Sequence, residues 1–294
     1  MQKIVPHLWY DTQAAEAARW YVSLFEDSRI LHTTTMPGTP SGDVETVDFE
    51  LAGMRFAAIS AGPYFSLNPS ISLMVACSTP EEIDRLYASL SEGGKELMPL
   101  GEYPFSKRYA WFEDKYGLSW QLMLVENQEI SQKIRLCLLF SGEACGKAQE
   151  AFAHYHAVFQ DARFGYANHY KPGEANDNRA KVNYSELALF GNQLVAMDHG
   201  DGGDFTFNEA FSLMVLCEDQ QELDAYWEKL SAVPESEQCG WVKDMFGVSW
   251  QIVPRDMSDI MAMATKEEVE RITQAFLNMK KIDIAALEKA RLGV

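Results

Sequence analysis

Two glutamines, Gln121 and Gln251, stand near the ends of almost identical nonapeptides, DKYGLSWQL from Asp114 and DMFGVSWQI from Asp244. A glutamine amide brings one donor pair and one acceptor without charge, which suits the holding of a small molecule. The alternative is that each amide satisfies neighbouring strand or loop groups. Strand alternation puts Ser119 with Gln121 on one face and Trp120 with Leu122 on the other, and it sorts Ser249 and Gln251 from Trp250 and Ile252 in the same way. The two tryptophans are expected to pack under a helix. Asn68 and Asn208 occupy matching positions, each four residues before a serine, Ser72 and Ser212. An asparagine there is either a turn residue or a polar group at the mouth of a cavity.

Other reactive side chains are scattered. His7 sits in a first strand, and His154 and His156 are two apart on a helix, so that pair cannot share a face. Asp198, Asp201 and Asp204 in MDHGDGGDF would suit calcium, or simply a polar Gly-rich hairpin beside His199. The five cysteines, Cys77, Cys137, Cys145, Cys217 and Cys239, lack CxxC spacing, which argues against a disulfide framework and a structural zinc. Free thiols in a reducing compartment are expected. Cys239 has no Lys, Arg or His next to it to form a thiolate, and the matching Cys77 and Cys217 read as small core residues.

These residues hang on a repeat. WYVSLFEDSRI (20–30) matches HYHAVFQDARF (154–164), and YFSLNPSISLMVAC matches DFTFNEAFSLMVLC. The first copy is longer between Leu90 and Trp111 than the second is between Leu230 and Trp241, and the extra stretch, GGKELMPLGEYPFSKRYA, is placed as a loop-like cover over a pocket. Within a copy, IVPHLWY reads as a strand, TQAAEAARWYVSLF as a helix, and SRILHTTTM, VETVDFEL and MRFAAIS as three strands. The strand–helix–three-strand order then repeats. Capping boxes are expected at Thr79 with Glu82 and Asp219 with Glu222, opening the second helix of each copy. Beyond Pro254 the pattern becomes helical, with a further box at Thr265 and Glu268 and an apolar stripe of Val269, Ile272, Phe276 and Met279. The expected domains are 1–127 and 133–254, followed by a helical tail, 255–294.

A chain of 294 residues with 47% hydrophobic content can bury ordinary cores, and it contains no apolar run of membrane-spanning length. Its net charge of −18 opposes binding to nucleic acid or to an anionic membrane. The N-terminus enters a strand pattern without a signal-peptide h-region, so a cytoplasmic location is expected.

The nonapeptides, AARWYVSLFEDSRI, DFTFNEAFSLMVLCEDQQELDAYW and QCGWVKDMFGVSWQIVP together resemble the vicinal oxygen chelate, or glyoxalase/bleomycin-resistance, superfamily in its PhnB-like branch, often labelled 3-demethylubiquinone-9 3-methyltransferase-like. The resemblance implies an α+β fold of tandem glyoxalase-like domains. Each would be two βαβββ modules forming a curled, mostly antiparallel eight-stranded sheet around a cavity, with C-terminal helices added. The tandem pair would act as an intrachain pseudo-dimer, and the chain could in addition form a homodimer. Methyl transfer finds no support, since no GxGxxG turn occurs.

Metal-using relatives place His or Gln on the first strand, Glu on the fourth, His on the fifth and Glu on the eighth. Carried over, these positions fall on His7, on FAAIS and QLVAM, on Ser72 and Ser212, and on Gln121 and Gln251. Only His7 and Gln121 stand as metal candidates, too few for a divalent ion, so no cofactor is expected. The function implied is binding of a small molecule in a barrel cavity, with Asn208, Ser212 and Gln251, or Asn68, Ser72 and Gln121, as contacts and the second domain as the better place to look. The alternatives are a metal-dependent lyase or isomerase, the metal through His7 and Gln121, and a purely structural pseudo-dimer.

Overall fold

The structure is a computed structural model describing residues 2–126 and 130–294. The first repeat gives β1 (Ile4–Tyr10), α1 (Ala14–Leu24), β2 (Arg29–Thr39), β3 (Gly42–Leu51) and β4 (Met54–Ser60), then β5 (Ile71–Cys77), α2 (Pro80–Leu90), β6 (Lys95–Tyr103), β7 (Ser106–Glu113) and β8 (Ser119–Leu124). The second gives β9 (Ile134–Phe140), α3 (Ala148–Val158), β10 (Arg163–His169), β11 (Val182–Leu189) and β12 (Asn192–Asp198), then β13 (Phe211–Cys217), α4 (Gln220–Leu230), β14 (Trp241–Lys243) and β15 (Ser249–Pro254). The tail forms α5 (Met257–Met263), α6 (Lys266–Leu277) and α7 (Ile284–Leu292).

The expectation of eight strands per sheet holds in one sheet and fails in the other, which has seven. Where the first repeat has the hairpin β6–β7, the shorter second repeat has a 3-10 turn at Pro234–Ser236 and a three-residue β14. The residues between Leu230 and Trp241 are too few for a second long strand. The extra stretch of the first copy is thus mostly strand, with a loop only at its tip.

The strand orders are β14-β15-β13-β1-β4-β3-β2 and β10-β11-β12-β9-β5-β8-β7-β6. Each sheet therefore takes one module from each repeat, joined by antiparallel pairing of β1 with β13 and of β5 with β9. The two compact units are Met1–Ser66 with Asn208–Val294, and Leu67–Phe207. The ranges 1–127 and 133–254 describe the repeats, and the compact units cut across them. Both sheets end in free edge strands, so neither closes into the barrel that the resemblance implies.

In the first unit, Tyr10 Oη meets Tyr21 Oη of α1 at 3.2 Å, so the even residues of β1 face the helices and the odd ones, His7 and Trp9, face away. On β15 the fully buried Trp250 lies on the helix side and Gln251 on the other. The nonapeptide builds this. Asp244 Oδ1 accepts the N–H groups of Phe246 and Val248, its Oδ2 accepts Trp250 Nε1 at 2.9 Å, and Gly247 takes the left-handed φ of +89° that the turn requires. Asp114 does the same for Tyr116, Leu118 and Trp120 in the second unit. The helix caps differ slightly from expectation. Thr265 and Glu268 form a full capping box. Glu82 and Glu222 instead reach back one residue further, to the N–H groups of Ser78 and Glu218.

Candidate functional site

On the side of the seven-stranded sheet that faces away from α1 and α4, strand register lines up Asp48, Ala57, His7, Ser212 and Ser249 in one row. Gln251 stands two residues beyond Ser249 on the same face, and its Nε2 donates to Ser212 Oγ at 2.9 Å. Gln251 Oε1 meets no partner among the described residues. His7 is buried, and its Nδ1 is buried without a hydrogen-bond partner. Burial pushes its pKa down to about 3, so the ring is neutral at physiological pH. Trp241 packs edge-on against His7 at 5.5 Å and against Trp9 at 6.2 Å.

Two adjoining cavities of about 160 and 420 Å³ occupy this face, sharing Trp9, Met36, Ile59, Trp241 and Phe276 as walls. His7 and Gln251 line the smaller, and Tyr64 and Phe65 the larger. The tail completes the enclosure, because Met257, Ser258 and Met261 of α5 and Phe276 of α6 also line the smaller cavity. Asp48 ties the tail down. It accepts from Arg55 at 2.9 Å and from Ser258 Oγ.

The eight-stranded sheet has different chemistry at the matching positions. Cys137 stands where His7 does, register-paired with Ser72 and Val195, and packs with Met74 in an apolar cluster. Gln121 Nε2 donates to Ser72 Oγ at 2.7 Å, and its Oε1 accepts from the buried Tyr109 Oη at 2.8 Å. Gln121 is therefore satisfied on both sides, unlike Gln251. Cys239, a short thiol, occupies the place in the second repeat that Tyr109 occupies in the first. A separate cavity of about 730 Å³ in this unit is lined by the β6–β7 hairpin tip, Tyr103 to Lys107, and by Met123, Arg135, Tyr184 and Glu186.

Asn68 and Asn208 are turn residues. Asn68 Oδ1 accepts from Ser70 N and its Nδ2 donates to Thr206 O, while Asn208 Oδ1 accepts from Ala210 N and its Nδ2 donates to Ser66 O. Each amide is engaged with backbone, and neither residue lines the cavities described above. Asp198 is buried and accepts from the N–H groups of Gly146, Ala148, Lys181 and Val182, so it braces a loop. His199 is half-buried, with Ser141 Oγ at 3.1 Å from its Nδ1. All five thiols are buried and free. Burial pushes Cys77 and Cys217 up to about 12, and Cys137 and Cys145 up to about 11.

The metal candidates His7 and Gln121 fall in different sheets, because the modules exchange between repeats. His7 shares its sheet with Gln251. The ligand positions that the resemblance implies, His7, FAAIS, Ser212 and Gln251, fall in one unit, and QLVAM, Ser72 and Gln121 fall in the other, where Cys137 takes the register position of His7. The one carboxylate in the row of His7, Asp48, is engaged by Arg55 and by Ser258 Oγ, so a single neutral imidazole with no free anionic partner does not fit a divalent ion of that type. Among the described residues no group of three or more His, Cys, Asp or Glu side chains is placed to hold one. Sequence reasoning did not single out Trp9, Trp241, Tyr109 or Arg135, whose roles depend on which strands become neighbours.

The two-module sheets, each with the module helices on one face, define a glyoxalase-like fold. Glyoxalase I from Zea mays shares it, with a TM-score of 0.55 at 11% identity over 86% of this chain and 93% of that one. The family model described as 3-demethylubiquinone-9 3-methyltransferase matches twice, at residues 2–123 and 132–253, and the chain belongs to that PhnB-like family. A PhnB protein from Bacillus cereus is 40% identical, with 42% of this chain covering 100% of that one at a TM-score of 0.40. A Staphylococcus aureus protein is 35% identical, with coverage of 42% and 97% and a TM-score of 0.18. Comparison with curated proteins found no match.

Proposed function

We propose that the first unit binds a small, mostly apolar, ring-bearing molecule without the help of a metal. The observation that carries this reading is the open carbonyl oxygen of Gln251 beside the neutral ring of His7, at the bottom of a space walled by Trp9, Trp241 and Phe276. A cavity of aromatic walls with few polar groups takes its ligand by burial and orients it by hydrogen bonds. Gln251 Oε1 accepts from an O–H or N–H of the ligand, and Ser212 holds the amide in the orientation that makes this possible. Methyl transfer, the activity in the family's description, is not part of this reading, since no Gly-rich turn between strand and helix is present to hold a nucleotide cofactor. The free thiols accord with a cytoplasmic location.

The test is a thermal-shift series with phenol, indole and their donor-free analogues anisole and N-methylindole, repeated on Gln251→Leu. The expected result is stabilisation by the donors, weaker effects from the analogues, and loss of that difference in the variant. Equal shifts for donors and analogues in the wild type would remove Gln251 as the anchor. A stoichiometric gain in melting temperature with Zn²⁺, Ni²⁺ or Mn²⁺ would overturn the metal-free reading in favour of a lyase or isomerase.

A further inference from the structure

The second unit carries a cavity of its own, and its chemistry is not that of the first. Arg135 of β9 lines it with a side chain only 13% exposed. Its Nη1 donates to Tyr184 Oη at 3.1 Å and to Glu186 Oε1 at 3.2 Å, while its Nη2 has only the thioether of Met74, at 3.5 Å. A thioether is a weak acceptor, and Nε meets no partner among the described residues. The guanidinium thus keeps strong donors in reserve, in a half-desolvated setting where a charge-assisted hydrogen bond counts for more than in water.

The mouth of the same cavity carries an aromatic group. Phe105, at the tip of the β6–β7 hairpin, is 60% exposed and lines the cavity. It stacks on Tyr103 with ring centres 5.7 Å apart and 20° between planes, and Tyr109 meets both edge-on at 4.9 and 5.6 Å. Glu102, Glu126 and Glu186 line the cavity against Lys107, paired with Glu126, and Arg135, and this excess of negative charge disfavours a dianion.

We infer that this cavity is a second binding site, taking a monocarboxylate that bears a flat ring. Its carboxylate accepts the unused N–H groups of Arg135 and its ring lies against Phe105. Tyr184 and Glu186 hold the guanidinium in place, with Tyr184 Oη donating to Glu186 Oε1 at 2.8 Å. The hairpin supplying Phe105 belongs to the insertion of the first repeat, so the chain has two unlike sites where its repeat would suggest two equal ones.

The experiment is calorimetric titration with 3-phenylpropionate, 3-phenylpropanamide and phenyl phosphate. The carboxylate binds, the amide and the dianionic phosphate bind at least about tenfold more weakly, and Phe105→Ala weakens the carboxylate without disturbing the fold. Arg135→Met leaves Glu186 without its ion-pair partner and risks misfolding, so the Arg135→Met/Glu186→Gln double variant is measured beside it and loses carboxylate binding by about tenfold or more. The series is repeated on Gln251→Leu, where the carboxylate isotherm is unchanged and the amide loses only what the first unit contributes, which separates this site from the one in the first unit. Absence of carboxylate binding up to about 20 mM, far weaker than ordinary small-molecule sites, overturns the proposal. Equal binding of acid and amide, or undiminished binding by the double variant, does so too.

Discussion

Ser212 lies beside His7 on the neighbouring antiparallel strand and accepts the amide of Gln251 at 2.9 Å. Ala57 flanks His7 on its other side, along a parallel strand. The one carboxylate of this row, Asp48, is taken up by Arg55 and Ser258. Installing Ala57→Glu and Gln251→Glu together gives His7 two carboxylate neighbours, and the double variant is expected to take up one equivalent of Co²⁺ or Ni²⁺ at micromolar concentration, as judged by calorimetry. If the double variant binds no ion, the geometry of this row does not suit a metal site even when carboxylates are supplied.

The depressed pKa of His7 makes stability depend on pH in a definite direction. In the unfolded chain the ring takes up a proton near pH 6.5, while in the folded protein it does so only at about 3. Between those values the unfolded state holds the extra proton, so stability is lost as pH falls through 6.5 and the loss continues to about pH 3. The ring contributes about 1.4 kcal/mol per pH unit once below its unfolded pKa. Urea unfolding at pH 7 and pH 5 is expected to show the wild type losing on the order of 2 kcal/mol more than His7→Gln. Equal losses would mean that the ring is already solvated or paired in the folded state.

Asp114 and Asp244 each hold a tryptophan indole and two backbone N–H groups. Replacing either with alanine strands three donors in the interior, at a cost of about 3 kcal/mol. The two variants are expected to act on different parts of the chain. Hydrogen exchange should rise first in residues 67–207 for Asp114→Ala, and in 2–66 and 208–254 for Asp244→Ala. Identical exchange patterns would show that the two units unfold as one.

The raised thiols predict slow modification. At pH 8 the native protein is expected to react with a disulfide reagent at none of its five cysteines within minutes, and at all five once unfolded. A rapid single-site reaction would identify a thiol more accessible than any seen here.

Module order, the nonapeptide turn and the capping residues were legible because each follows from local periodicity and short-range hydrogen bonding. The partnership of His7 with Gln251 was not. Nothing in the alternation of IVPHLWY says whether β1 pairs with β5 of its own repeat or with β13 of the other. The inequality of the two glutamines was hidden for a similar reason. Whether an amide is capped depends on what the neighbouring strand brings to it: β7 carries Tyr109 to Gln121, whereas Cys239, at the matching sequence position, lies in a turn before the short β14. The turn partners of the asparagines were also hidden, since Thr206 O and Ser66 O stand 138 and 142 residues away from them in the chain.

The exchange of modules also sets an order of events during synthesis. Residues 67–207 form a contiguous unit and have all their strand partners as soon as they leave the ribosome. The N-terminal strands are made first and must wait for β13 and β15, more than two hundred residues later, before their sheet is complete. A nascent chain in that interval exposes the pairing edge of β1, with β5 of the same repeat as an available wrong partner. Holding β1 unpaired until the far end of the chain arrives is therefore a task for the translating cell, and slowed elongation before residue 208 would lengthen that hazard.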